Sequence, residues 1–399
     1  MKRLYNAFSF VGELGFPNDM STFIIKNKNK NETWENIKAN GLTIKKDNGN
    51  MAFLNMEFGR PLKQEIKIFS LDVNGGKLEI PFSERLNLDI VSRVADFRKI
   101  IFNTLDDFNE KSDLDKLKFK ILALNKKVKD GSISQDELNS KHEYEQEYEQ
   151  RVAGHVYEFL SMYDALEFLN SNHQMFANKK VKVKGNVEMS SWQGKYYTAF
   201  IPNYFEIVPD YIENELNLNL DIYFLPESLV ENEKECVLLG YLCNYDKNLK
   251  KDAFFPKQFT IKKDNQDVYS FLYDIFSYKN KRLPDNQKVF HINCLAEAFR
   301  GAELLPITID DLTDAQKTMV KLGMAKVEDF GVKKFGDNME KTYIKSPILS
   351  GEFASGAKAT NIDVKNFAKL ISTGYQNQAS PQEEIQKVPK SLLDDLMGR

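Results

Sequence analysis

Residues Asn178–Val208 read NKKVKVKGNVEMSSWQGKYYTAFIPNYFEIV. Across Val181–Lys184 apolar and basic side chains alternate with a period of two, so the valines face one way along an extended strand and the lysines the other. Ser190-Ser191-Trp192-Gln193-Gly194 is a polar, glycine-containing break, as a hairpin connection between two strands would be. Lys195, Tyr196, Tyr197, Phe200, Tyr204 and Phe205 then follow closely. Lysines of this kind neutralise phosphates, and aromatic rings stack on bases whatever the base is, because every base has a flat face. The same pattern also describes an ordinary hairpin whose rings fill a core and whose lysines keep an edge soluble.

The 399 residues leave room for two or three domains. Charged residues make up 28% and hydrophobic ones 42%, which is enough to build a core. A formal net charge of −3 excludes a globally basic polyanion binder, so any positive surface has to be local, as it is around Lys179–Lys184. Three cysteines exclude a dense disulfide framework and suit a reducing compartment. Met1-Lys2-Arg3 is not followed by the apolar stretch of a signal peptide, and no apolar run reaches 18 residues. These features lead to the expectation of a cytoplasmic protein without a membrane partner. The Asn- and Lys-rich composition suits a low-GC bacterium, or its phage acting in that host's cytoplasm.

Outward from the opening stretch, residues 4–100 read mainly as β. Tyr5–Val11 precedes a Gly15/Pro17/Asn18 turn and Thr22–Ile25, where Lys26 and Lys28 add basic candidates on the following strand. Asn48-Gly49-Asn50 before Met51–Phe58, and Asn74-Gly75-Gly76 between Ile66–Val73 and Lys77–Ile80, are hairpin signals. Residues 105–153 have helical composition, and acidic residues dominate from Ser132 to Asn170, most simply as a solvated face. Tyr163–Asn170 reads as a short amphipathic helix between a strand at Val156–Leu160 and the Lys-rich strand.

The order strand, short helix, strand, hairpin, strand is that of the second half of an OB barrel. Asp164-Ala165-Leu166-Glu167-Phe168-Leu169, then Lys182-Val183-Lys184-Gly185-Asn186-Val187, then Trp192 to Phe205, resembles the single-stranded DNA-binding proteins of bacteria and phages. The match covers His155–Val208, with the β-rich N-terminal segment supplying earlier strands; the long helical insertion departs from the family pattern. The resemblance implies an OB-like barrel, no cofactor, and single-stranded DNA as partner in replication or recombination. It also implies partner recruitment by an acidic, apolar terminus. Here Leu392, Leu393, Asp394, Asp395 and Leu396 are similar in kind, although the chain ends Met-Gly-Arg without an aromatic tip.

A second β segment begins near Leu218. Cys236–Cys243 and Ala253–Lys263 read as strands around a polar loop, and residues 245–263 hold six lysines against two aspartates, interleaved with aromatics. Tyr245, Lys250, Lys251, Phe254, Phe255 and Lys257 therefore join Lys180, Lys182, Lys184, Trp192, Lys195, Tyr196 and Tyr197 as candidate nucleic-acid contacts. A helix over Tyr269–Phe276, a strand over Val289–Cys294, and a helix capped by Thr313 with Gln316 complete the segment.

The expected fold is mainly β with helical insertions (α+β), as tandem OB-like barrels. An OB-like domain spans 1–212 with the acidic helical insertion at about 105–153. A second β-rich, OB-like domain spans 215–350, and a tail runs over 351–399 with its acidic–apolar terminus. Catalytic chemistry finds no support: there is no H-E-x-x-H, no phosphate-binding G-x-x-x-x-G-K-(S/T) and no G-x-S-x-G. Cys236, Cys243, His291 and Cys294 have separations of seven and three, which place strand side chains on opposite faces, so no metal is expected. Two other readings fit the same residues: a structural or virion protein that uses β-barrels for assembly, and an RNA-binding regulator.

Overall fold

The computed structural model describes residues 6–46, 49–73, 75–231, 235–277, 288–306, 308–330, 333–353 and 356–372. Strand β1 (Ala7–Gly15) alternates apolar and small residues, and Phe8 and Phe10 are buried. A small antiparallel sheet holds β2 (Ile24–Lys28), β3 (Trp34–Ala39) and, after the β4 (Thr43–Lys45) and β5 (Met51–Phe53) hairpin, β6 (Glu57–Pro61). The stretch read as one strand over Met51–Phe58 is thus two strands in different sheets, with Met56 fully buried at the crossing. The expected hairpin about Gly75 is present as β7 (Lys67–Leu71) paired with β8 (Lys77–Pro81).

Helix α1 (Leu88–Arg93) leads to β9 (Ile100–Asn103), and the expected helical insertion is α2 (Phe108–Lys129) and α3 (Gln135–Val152). Asp107 caps α2, and a Ser134–Glu137 capping box opens α3, so both starts are set locally. After β10 (Val156–Phe159) comes α4 (Met162–Asn172), whose Ala165, Leu166 and Leu169 form a fully buried stripe. The stretch that opened the sequence reading becomes two 13-residue strands, β11 (Lys180–Trp192) and β12 (Lys195–Ile207). Gln193 (φ 47°) and Gly194 (φ 75°) form the two-residue turn between them, the positive-φ geometry that matches strand twist.

The second half contains a closed five-stranded barrel. Its strands are β13 (Glu215–Glu231), β14 (Glu235–Asp246), β15 (Lys251–Lys262), β16 (Lys288–Pro306) and β17 (Lys333–Pro347). The ring runs β13–β14–β15–β17–β16 and back to β13, with β15 and β17 parallel and the other pairs antiparallel. Helix α5 (Gln266–Phe276) connects β15 to β16 and buries Tyr269, Leu272 and Phe276. This closure is compatible with an OB-like barrel. Beyond it lie α6 (Asp314–Lys321), which carries the expected Thr313–Gln316 capping box, then β18 (Lys358–Asp363) and α7 (Val364–Phe367). The acidic terminus at 392–396 lies outside the described residues.

One sheet joins the two halves, in the order β10–β9–β12–β11–β1–β13–β14–β15–β17–β16–β18. Strand β1 is hydrogen-bonded along one edge to β11; its other edge pairs with β13 over Ala7–Val11 and with β4 over Glu13–Gly15. The change of partner falls at Gly12, where a Cβ would sit 2.0 Å from the Lys45 carbonyl oxygen. Only glycine lets the backbones approach that closely. Gly12→Ala is therefore expected to destabilise the protein by about 1–3 kcal/mol, read as a lower thermal midpoint. A midpoint equal to wild type would refute this account of the seam.

Candidate nucleic-acid interface

Along β11 the side chains of Val181, Val183, Val187 and Met189 are buried, so the alternate residues form an outward face. Pairing with β12 sets that face in rows: Lys182 beside Glu206, Lys184 beside Tyr204, Asn186 beside Ile201, Ser190 beside Tyr197, and Trp192 beside Lys195 at the tip. Trp192 is 60% exposed and Tyr197 is 47% exposed. A tryptophan that exposed at the end of a rigid hairpin contributes little to the core and is available for stacking. The Lys184 ammonium lies 5.2 Å from the centre of the Tyr204 ring. Burial and the neighbouring Glu206 carboxylate push the Tyr204 phenol well above its usual range, so it stays neutral.

The tip of the β14–β15 hairpin meets this one. Asn244 Nδ2 donates to the Met189 carbonyl at 3.0 Å. Asp246 is buried; one carboxylate oxygen accepts the Asn248 and Leu249 amides and so shapes the turn. Its other oxygen accepts the Ser372 hydroxyl at 2.6 Å. Ser372 is fully buried and its single hydroxyl proton goes to Asp246, so the Ser191 hydroxyl 3.0 Å away donates to Ser372. The Ser372 carbonyl accepts the Tyr196 hydroxyl at 2.6 Å, and its amide donates to the Phe254 carbonyl at 2.8 Å. One serine thus fastens both hairpin ends, bringing Trp192, Lys195 and Tyr197 to the same end of the molecule as exposed Tyr245, Lys250 and Lys251.

Other expected contacts are placed differently. Phe254 and Phe255, expected to stack on bases, are only 2% and 1% exposed, which corrects that expectation. Phe254 sits against Phe367 and Tyr223 on the barrel's outer side, covered by the segment around α7, and Phe255 belongs to the main core. A base could reach Phe255 only by unpacking the barrel, and Phe254 only by displacing the segment around α7. Tyr196 is half-buried, its hydroxyl committed to Ser372 and its ring perpendicular to that of Phe255, so it positions the hairpin. Lys257 lies beneath β12, donating to Thr198 Oγ1 at 2.9 Å, and burial holds its ammonium below the usual lysine range. Lys180 is tied to the Asp210 and Ile212 carbonyls, each at 2.6 Å. Lys26 pairs with Glu167 of α4, and Lys28 stands exposed on β2 in the separate small sheet. Lys182, Lys184, Lys195, Lys250 and Lys251 remain on the surface, Lys182 partly covered.

The sequence reading missed Asp246 and Ser372, whose roles depend on contacts more than a hundred residues apart. It also missed the outward amides Asn186 and Asn203, although the alternation that predicted the strand places Asn186 on the lysine face. Cys236 and Cys294 face the main core and Cys243 the outer cluster, matching the opposite-face expectation. Among the described residues no three His, Cys, Asp or Glu side chains are grouped to hold a metal, and no helix is long and apolar enough to cross a membrane.

Ser372→Ala removes the donor to a buried carboxylate and the acceptor of Ser191. It is expected to cost about 1–3 kcal/mol and to exceed the cost of Ser191→Ala, as measured by urea midpoints. Equal and negligible shifts for both variants would show that the staple does not hold the hairpins.

No family model matches this chain, and no curated protein matches it either, so its interface has to be understood from its own geometry.

Proposed function

We infer that the protein binds single-stranded DNA without marked sequence preference, as a non-enzymatic factor in replication or recombination. The observation that carries this is the outward face of the β11–β12 hairpin, on which exposed Trp192 and Tyr197 share one strip with Lys195 and Lys184. From Lys184 to Trp192 the strip extends roughly 27 Å at strand rise, room for several nucleotides. Lysines attract the phosphates by releasing counterions, and Trp192, Tyr197 and Tyr245 stack on bases.

The resemblance to bacterial and phage single-stranded DNA-binding proteins fits this assignment, and so does a tandem OB-like architecture. Support for the second barrel comes from the first half. There β1, β4 and β5 pair in turn, the residues just after β5 meet β12 through the parallel bridge Leu54–Phe200 and the Asn55 amide to the Phe200 carbonyl at 2.8 Å, and β12 pairs with β11, which returns to β1. The acidic residues Asp394 and Asp395, with Leu392, Leu393 and Leu396, would recruit replication proteins. An assembly role is favoured by a different observation: Phe119 and Leu122 of α2 are 72% and 53% exposed on one helix face. A virion or structural protein would bury that face between copies.

The test is fluorescence anisotropy of labelled oligo-dT titrated with the full chain at low and moderate salt. Tight binding is expected, resisting duplex competitor, with Trp192→Ala weakening it roughly tenfold, in keeping with ~1–3 kcal/mol per stacked base. With four lysines engaged, the log–log salt slope should be about −3. A ribo-oligonucleotide competing better than DNA would move the assignment to RNA. Absence of binding at low salt would overturn it in favour of assembly.

A further inference from the structure

Where β11, β12, β1 and β13 lie side by side, the outward face forms a trough of about 340 Å³. Its floor is Ala7, Ser9 and Gly185, and its walls carry Lys184, Asn186 and Asn203 on one side and Asn217 and Asn219 on the other. Gly185 lends only backbone to the floor: a Cβ there would point to the opposite, core side, against the Phe8 ring at 2.7 Å and the Ile201 carbonyl oxygen at 2.0 Å. The register between β11 and β12 shifts at this point: Lys184 pairs with Tyr204 and Gly185 with Pro202, which leaves Asn203 as the extra residue of a bulge. Bulges re-aim side chains at sites of function. This one adds an amide to the face that already carries Lys184 and Asn186.

The two walls differ in how their amides are engaged. On the β13 side Asn217 Nδ2 donates to Glu215 and Asn217 Oδ1 accepts the Lys345 ammonium at 3.2 Å. Asn219 Oδ1 accepts Asn293 Nδ2 at 2.8 Å. On the β11–β12 side, by contrast, no described residue hydrogen-bonds the Asn186 or Asn203 carboxamide, and the Lys184 ammonium meets only the Tyr204 ring. Each free carboxamide offers a donor and an acceptor side by side, the complement of a base edge. Lys184 and Asn186 project from the same face two residues apart, about 7 Å at strand rise, the separation between the phosphate and the base of one nucleotide.

Building on the single-strand assignment above, we infer that this trough holds one nucleotide of the bound strand. The base edge lies against Asn186 and Asn203, and the 5′-phosphate against Lys184. The trough is distinct from the hairpin tip: the tip stacks bases of any kind, whereas the trough engages one base by its hydrogen-bonding edge. It also makes β1, through Ala7 and Ser9, part of the binding surface.

The experiment is calorimetric titration of the full chain with each deoxynucleoside 5′-monophosphate and with deoxyribose 5-phosphate, beside oligo-dT anisotropy on the same samples. The monophosphates should bind the wild type. They should bind the Asn186→Ala/Asn203→Ala double variant at least tenfold more weakly, and deoxyribose 5-phosphate weakly to both. Circular dichroism of the double variant confirms its fold; Asn186→Asp and Asn203→Asp, tested singly, provide near-isosteric checks that should also lose affinity. Equal binding of deoxyribose 5-phosphate, or monophosphate affinity unchanged in the double variant, would overturn the inference. So would silence toward every monophosphate while oligo-dT still binds, and the single-strand assignment would then stand alone. Amide-dependent monophosphate binding without any oligo-dT binding would uphold the trough as a nucleotide site and remove the single-strand assignment.

Discussion

Everything in this structure depends on β1 having no free edge. Its backbone donors and acceptors are shared between β11 on one side and β13 and β4 on the other, and its phenylalanines enter the main core. A buried strand has to satisfy all its peptide groups, because each unpaired one costs as much as a lost hydrogen bond. Asn6 extends the same logic: its carbonyl accepts the Val187 amide and its side chain accepts the Asp221 amide at 2.9 Å. Removing β1 would expose edges on both halves at once, so the two halves stand or fall together.

On that frame the hairpins act as rigid supports. The β11–β12 tip is held from behind by Ser191, Tyr196 and Thr198, and all three of those bonds run to elements of the second half. Side chains that point the other way, Trp192, Lys195 and Tyr197, carry none of that load. A binding surface built on strands and backed by buried hydrogen bonds loses little conformational freedom when a ligand arrives. The division of labour within one strand follows from its period of two, with one face for cohesion and the other for contact.

Much of this was legible in the sequence. The Val/Lys alternation from residue 181 predicted the faces of β11, the helical composition of 105–153 predicted α2 and α3, and Thr313 with Gln316 predicted a cap that is present. Strand patterning tells which residues share a face, but not what comes from elsewhere to cover it. Phe254 and Phe255 show this. They alternate as strand residues should, one turned into the barrel and the other outward, yet the outward one is roofed by Phe367 from a distant segment. Lys257 and Lys180 show the same limit for charge, since their composition suits a basic surface while their positions commit them to internal partners. The bulge at Gly185 leaves no composition signal beyond the glycine itself, so the trough could not be read from the sequence alone.

The position of β1 also bears on how the molecule comes into being. Its long-range partner strands begin at Lys180 and Glu215, and the serine that fastens the hairpins is residue 372; an early partner, β4, reaches Glu13–Gly15 alone. On a ribosome adding about 5–20 residues per second, Ala7–Val11 emerges and then waits on the order of ten seconds or more for either of its partners. Such non-local pairing makes folding slow, because a long loop has to close before any contact rewards it. During that interval an apolar strand with two open edges is accessible to chaperones and to neighbouring chains. Yield in a cell is therefore governed less by the strength of the finished sheet than by the protection of its first strand during synthesis.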